Sequence, residues 1–169
     1  MKSAQLLTLL FSGLAAPFFQ AAEVMEIAPG KEAFLPKGKE ADGIRGDFVL
    51  RSDKVEALIS HNAPNRRANM STFYGADGVT PGCLYDLTLK DADNVQLVIY
   101  GPCGHGFVSY VKAVEGEAAV ESVTTAAVGN GVFKRHLFRV EDGVSGVFVS
   151  TVLRNESGAE VKVSTKDDF

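Results

Sequence analysis

The sequence is poor in the residues and spacings that metal and thiol chemistry need. It has two cysteines and three histidines, with no CxxC, HxH or HExxH among them, so no redox pair or zinc motif is written locally. No GxSxG places a serine nucleophile on a sharp turn. No basic run is longer than Arg66-Arg67, and a chain without a positive stripe has no means of releasing counterions, which excludes nucleic acid as the expected partner. Cofactors are likewise not expected. "KDADN" (90–94) spaces Asp91, Asp93 and Asn94 like a calcium loop but lacks the later glycine and closing glutamate, so a hairpin turn accounts for it.

Long apolar runs are confined to the start. Lys2 is followed by "SAQLLTLLFSGLAAPFFQAA" and the first acid is Glu23, which reads as a secretory signal over 1–22. Its strongly apolar part, Leu6 to Ala16, is shorter than the roughly 20 residues of a spanning helix. The expectation is a secreted or periplasmic protein, with no membrane association once the signal is removed and one domain over 23–169. Loss of Lys2 leaves 16 basic against 21 acidic residues, a net charge of −5. A chain of this size buries enough surface, about 68 to 70%, to fold without a disulfide scaffold.

Past the signal, apolar residues alternate at period two. "DFVLRS" (47–52) turns at Ser52-Asp53-Lys54 into "VEALIS" (55–60), with Val55, Ala57 and Ile59 facing one way and Glu56, Leu58 and Ser60 the other. "LYDLTL" (84–89), "VQLVIYG" (95–101), "FVSYVKAV" (107–114), "AAVESVTTAAV" (118–128), "VFKRHLFRV" (132–140), "GVFVSTVLR" (146–154) and "AEVKVS" (159–164) follow. Turn chemistry such as "EGE", "GNG", "EDG" and "NESG" separates most of them. The alanine-rich 118–128 segment is the one rival helix, but Val120, Val123, Thr124, Thr125 and Val128 are β-branched and favour a strand. Roughly eight or nine short strands with no amphipathic helix between them predict an all-β fold, an antiparallel β-sandwich. The last strand, 159–164, is expected to pair with 146–154. It would be an edge guarded by Lys166, Asp167 and Asp168, or one open to a partner chain.

A hairpin of 84–89 with 95–101 centred near Ala92 sets residues summing to about 185 opposite one another. Cys83 and Cys103 would then meet at its open end, and an oxidising compartment predicts a disulfide contributing on the order of 3 kcal/mol.

The 61–83 loop is the longest without alternation and holds His61, Asn62, Asn65, Arg66, Arg67, Asn69, Tyr74 and Asp77. Loops of that length are commonly functional. Paired arginines with amides and an aromatic suit a carboxylate, a phosphate or an array of sugar hydroxyls, though they would equally solvate a crossover between sheets. The ligand-binding candidates are His61, Asn65, Arg66, Arg67, Asn69 and Tyr74, joined by His105 from "YGPCGHGFVSY" (100–110), where glycines permit close backbone approach. No catalytic or metal-binding residue is assigned. His136 is expected on the outward face of its strand, in solvent. Asp47, Asp86 and Glu141 are acids that could meet in space for glycosidic chemistry. Asn69-Met70-Ser71 and Asn155-Glu156-Ser157 match the glycosylation sequon, which matters only in a eukaryotic source.

"GDFVL", "SDKVEALIS", the arginine loop and "GCLYDLTL" together resemble the N-terminal segment of secreted bacterial proteins with a CehA/McbA-type metallohydrolase domain. "VFVSTVLRNESGAEVKV" is similar to the strand–Asn–turn–strand pattern of the β-supersandwiches in sugar-binding and mutarotase-like domains. The resemblance covers about half of the processed chain. It implies a noncatalytic module, binding or structural, accessory to a hydrolase and carbohydrate-binding in type, because the metal-ligating motifs of the hydrolase are absent. The alternative is a sugar-active hydrolase or isomerase using acids and histidines on one sheet face.

Overall fold

The computed structural model describes residues 21–39, 41–61, 81–95, 99–104 and 106–169. It is all-β: two four-stranded antiparallel sheets face each other as a sandwich, with one 3-10 turn at Glu32–Phe34. The first sheet runs in order β1 (Glu23–Glu26), β2 (Phe48–Arg51), β3 (Val55–Ile59), β4 (Leu84–Leu89). The second runs β5 (Tyr110–Ala113), β6 (Ala119–Thr124), β7 (Val132–Arg139), β8 (Phe148–Asn155). Each sheet is a meander, so every strand pairs antiparallel with its sequence neighbour in the sheet, although the β1–β2 and β3–β4 connections are long.

The alternation creates the interlayer core. Phe48 and Leu50 from β2, Val55, Ala57 and Ile59 from β3, and Leu84 from β4 pack against Val120, Phe138 and Val140 of the second layer. The β2–β3 turn is closed by Ser52, whose N–H donates to Val55 O at 2.9 Å while its hydroxyl oxygen accepts from Lys54 N and Val55 N. Strand rather than helix also holds in the alanine-rich segment, but only over β6; from Ala126 the chain turns toward β7.

The first sheet is buried on both faces, which alternation alone does not reveal. Val49, Leu58 and Tyr85 form a second cluster with Ile27, flanked by Leu35 and Ile99. The segment after β1 lies over this face so closely that a Cβ on Gly43 would sit 2.6 Å from Leu35 and 2.7 Å from Leu58. Asn94 N donates to Lys37 O at 2.6 Å and pins the cover at its far side. Strand β1 itself was not expected; "EVME" is too short to register beside the apolar leader.

Four expectations fail. Among the described residues of 95–101 no ladder strand forms: only Tyr100 and Gly101 make bridges, to Leu84 and Asp168 respectively. Leu84 and Tyr100 exchange both backbone hydrogen bonds, at 3.1 and 2.8 Å, close to the anticipated register. Yet Cys83 and Cys103 are free thiols rather than a disulfide. The chain leaves the register after Gly101 because Cys103 and Gly104 take positive φ, 53° and 62°, and Cys103 N is drawn to Asp167 Oδ1 at 2.8 Å. The 159–164 segment forms no strand and does not pair with β8. Asn155 ends the strand by donating from Nδ2 to Ala159 O, with its Oδ1 accepting from Ser157 N and Oγ. The tail then crosses to the first sheet, where Gly101 and Asp168 exchange backbone bonds at 2.9 Å and Phe169 lies 5.2 Å from Tyr100, ring to ring. Lys166, Asp167 and Asp168 therefore cover the β4 side rather than guard β8. Finally, His136 points inward: it is 1% exposed, and its Nδ1 is 2.9 Å from Thr151 Oγ1.

Candidate ligand cleft

The sheets open at one edge, between β1 and β2 on one side and β5 on the other. Glu26, Phe48, His61, Ser109, Tyr110 and Lys112 line a cleft there of about 540 Å³. His61, two residues past the end of β3, is fixed on the cleft wall by Asp47. The Asp47 side chain is fully buried; its Oδ1 accepts from His61 N at 3.0 Å and lies 2.9 Å from His61 Nδ1, while its Oδ2 accepts from Ile44 N at 2.9 Å. A carboxylate only accepts, so Nδ1 carries the proton and Nε2 is the ring's other polar atom.

Gly46 makes this placement possible. Its φ of 91° is left-handed, and a Cβ there would come within 2.9 Å of the His61 ring. Glycine thus serves both the turn into β2 and the close approach of the imidazole.

The base of the long loop is tied beside this cleft. Ser60 N donates to Cys83 O at 3.0 Å, Gly82 N to Ser60 O at 2.8 Å, and Cys83 N to Ser60 Oγ at 3.1 Å. Gly82 abuts Val111, another residue of the cleft wall: a Cβ on it would lie 3.2 Å from Val111 Cγ2. Of the predicted site residues, His61 lies in the cleft, while Asn65, Arg66, Arg67, Asn69, Tyr74 and His105 lie outside the described residues.

The opposite wall is set by β5 and its flank. Ser109 Oγ sits 2.9 Å from Thr125 Oγ1 and accepts from Thr125 N at the same distance, so this hydroxyl pins the strand's entry. Lys112 Nζ is 3.1 Å from Glu121 and 5.1 Å from the centre of the Tyr110 ring. Burial pushes the Glu121 carboxyl up, but Arg135 at 2.6 Å and Lys112 outweigh it and hold the group below the usual carboxylate range. Ser109, Tyr110 and Lys112 escaped the sequence reading, although "YGPCGHGFVSY" contains the first two; nothing local says that β5 faces His61.

The three acids considered for glycosidic chemistry have separate surroundings. Asp47 holds His61, Glu141 pairs with Arg139 at 2.8 Å, and Asp86 is buried at 1% exposure with the charge of Asp42 nearby. Neither Asp86 oxygen has a hydrogen-bond partner among the described residues. Burial pushes its carboxyl up to about 7 against the downward pull of the Leu87 amide, and the charge of Asp42 adds a smaller upward push. No group of three or more His, Cys, Asp or Glu suited to a metal occurs among the described residues, and no helix among them is long and apolar enough to cross a membrane.

Comparison with protein-family models, with curated proteins and with solved structures finds no match.

Proposed function

We propose that this is an exported, noncatalytic β-sandwich module that binds a carbohydrate or related surface polymer in the cleft between β1–β2 and β5. The observation that carries the reading is the mixed wall: Tyr110, 37% exposed, lines one open groove together with His61 and Glu26. An aromatic face with several polar groups suits a ligand that is apolar on its ring faces and rich in hydroxyls at its rim. On sequence grounds Arg66, Arg67 and Tyr74 are further candidates for the same ligand. The resemblance to accessory segments of secreted metallohydrolases supports the same role.

Titration calorimetry against a panel of soluble polysaccharides tests it. Binding is expected to fall at least about tenfold in Y110A and in H61A, the loss of an aromatic anchor or a central hydrogen bond. Binding that survives both substitutions unchanged sinks the proposal.

One observation favours a second reading. A histidine held by a buried carboxylate, with its free nitrogen available to a cleft, is the arrangement of a general base. Turnover of glycosides or sugar epimers, lost in H61A, would select the hydrolase or isomerase alternative.

A further inference from the structure

We infer that the protein pairs with a second copy of itself through β8, merging the two second sheets into one continuous antiparallel sheet about a twofold axis at Thr151. The other sheet edges are shorter, and that of β4 is met at Leu84 by Tyr100. Strand β1 has four residues bounded by Glu23 and Glu26; β4 is followed by the Tyr100–Gly101 segment and then by the C-terminal tail; β5 has four residues and carries Lys112. Strand β8 is different. It runs eight residues, "FVSTVLRN", with no proline, glycine or lysine, and Phe148 and Val152 are 43% and 50% exposed. Natural edge strands of that length usually carry a device against pairing.

The ladder fixes which groups are available. Glu156 N donates to Gly131 O at 2.7 Å, and this pair continues the β7–β8 register, in which Phe133 faces Arg154 and Arg139 faces Phe148. Hydrogen-bonded pairs alternate in an antiparallel ladder, so even-numbered residues of β8 point their amides at β7. Val149, Thr151 and Leu153 then point theirs outward, where a second strand would bond.

A symmetric pairing must set those residues against each other. With Thr151 on the axis, Val149 faces Leu153 of the partner subunit and Ser150 faces Val152 of the partner subunit. Phe148 faces Arg154 of the partner subunit in a non-hydrogen-bonded pair, where side chains approach most closely. This is the contact the chain already makes at both ends of its own β7–β8 pair: Arg139 lies 5.3 Å from the Phe148 ring centre and Arg154 lies 4.5 Å from that of Phe133. Across the joined sheet the outer face would read Arg139, Phe148, the partner's Arg154, the partner's Phe133, cation and ring in alternation. The strand is self-complementary in the one register that uses its whole open edge.

Sedimentation equilibrium of the purified protein over a concentration series tests this. The expected result is a dimer whose dissociation constant rises at least about tenfold in V152K, because the substitution sets two ammonium groups beside the axis on one face. Register is read independently by mixing an S150C chain with a V152C chain in a C103S background, where oxidation is expected to cross-link the two. A monomer at every concentration overturns the inference. So does a dimer indifferent to V152K, or a folded S150C and V152C mixture that fails to cross-link.

Discussion

A single oxygen of Asp47 holds His61 twice, accepting from its backbone N–H at 3.0 Å and lying 2.9 Å from ring Nδ1. Strand end and side chain are therefore set by one buried group, and the cleft-facing imidazole is oriented before any ligand arrives. D47N keeps an acceptor but loses the charge. It is expected to cost about 1 to 3 kcal/mol, the range for a hydrogen bond to a charged group. Nitrogen NMR of the neutral ring should show the proton on Nδ1 in the parent protein and a tautomer mixture in D47N; a parent ring protonated on Nε2 counts against the arrangement.

Asp86 supplies a pH dependence with a definite sign. Its carboxyl titrates near 7 when folded and near the ordinary 3.8 when unfolded. Between these values the folded state holds more proton than the unfolded state, so stability falls as pH rises from about 4 to 7 and levels off above that. The upper bound is on the order of 4 kcal/mol. Urea unfolding at pH 5 and pH 8 checks it. D86N should remove most of the difference and be the more stable protein at pH 8, with the histidines cancelling in the comparison.

The thiols should behave unequally. Burial pushes the Cys83 thiol up to about 12, helped by Asp168, whereas Cys103 is partly exposed with its Sγ 3.8 Å from Ser164 O. A low thiolate population and no access make Cys83 inert. Mass spectrometry after brief alkylation of the native protein should find the label on Cys103, with Cys83 reacting only in denaturant. An intramolecular bridge in air-oxidised, folded protein would contradict the placement of both.

The tail is held by Asp167, whose two oxygens meet Cys103 N at 2.8 Å and Tyr100 Oη at 3.1 Å. Burial first, and then Asp167, raise the Tyr100 phenol above its ordinary value. D167A is expected to lower that phenol pKa in an ultraviolet titration and to speed amide exchange at Gly101 and Gly104, whose N–H groups bond the tail. The stability loss should be about 1 to 2 kcal/mol. Unchanged exchange would show that the tail does not dock.

The sequence by itself determined the pleated layers. Period-two alternation through "DFVLRS", "VEALIS", "LYDLTL" and "VFKRHLFRV" sets which face each residue takes, and "GNG" and "EDG" set where strands turn, because both depend on neighbours a few residues apart. His61 stood out as a candidate for a similar reason: it opens the longest loop without alternation. Which faces are covered was not legible. His136 looks outward among Lys134, Arg135 and Arg139, yet its strand face is the inner one, and that follows only from Phe138 packing on the other sheet. Leu58 and Tyr85 lie on a buried outer face because the segment after β1 folds over them. The tertiary structure alone decided that β5 closes a cleft onto His61, that the tail crosses to Gly101 and so parts Cys103 from Cys83, and that β8 is left as an edge. Each depends on groups brought together across many intervening residues, a choice made by burial and backbone pairing of the whole chain rather than by any local pattern.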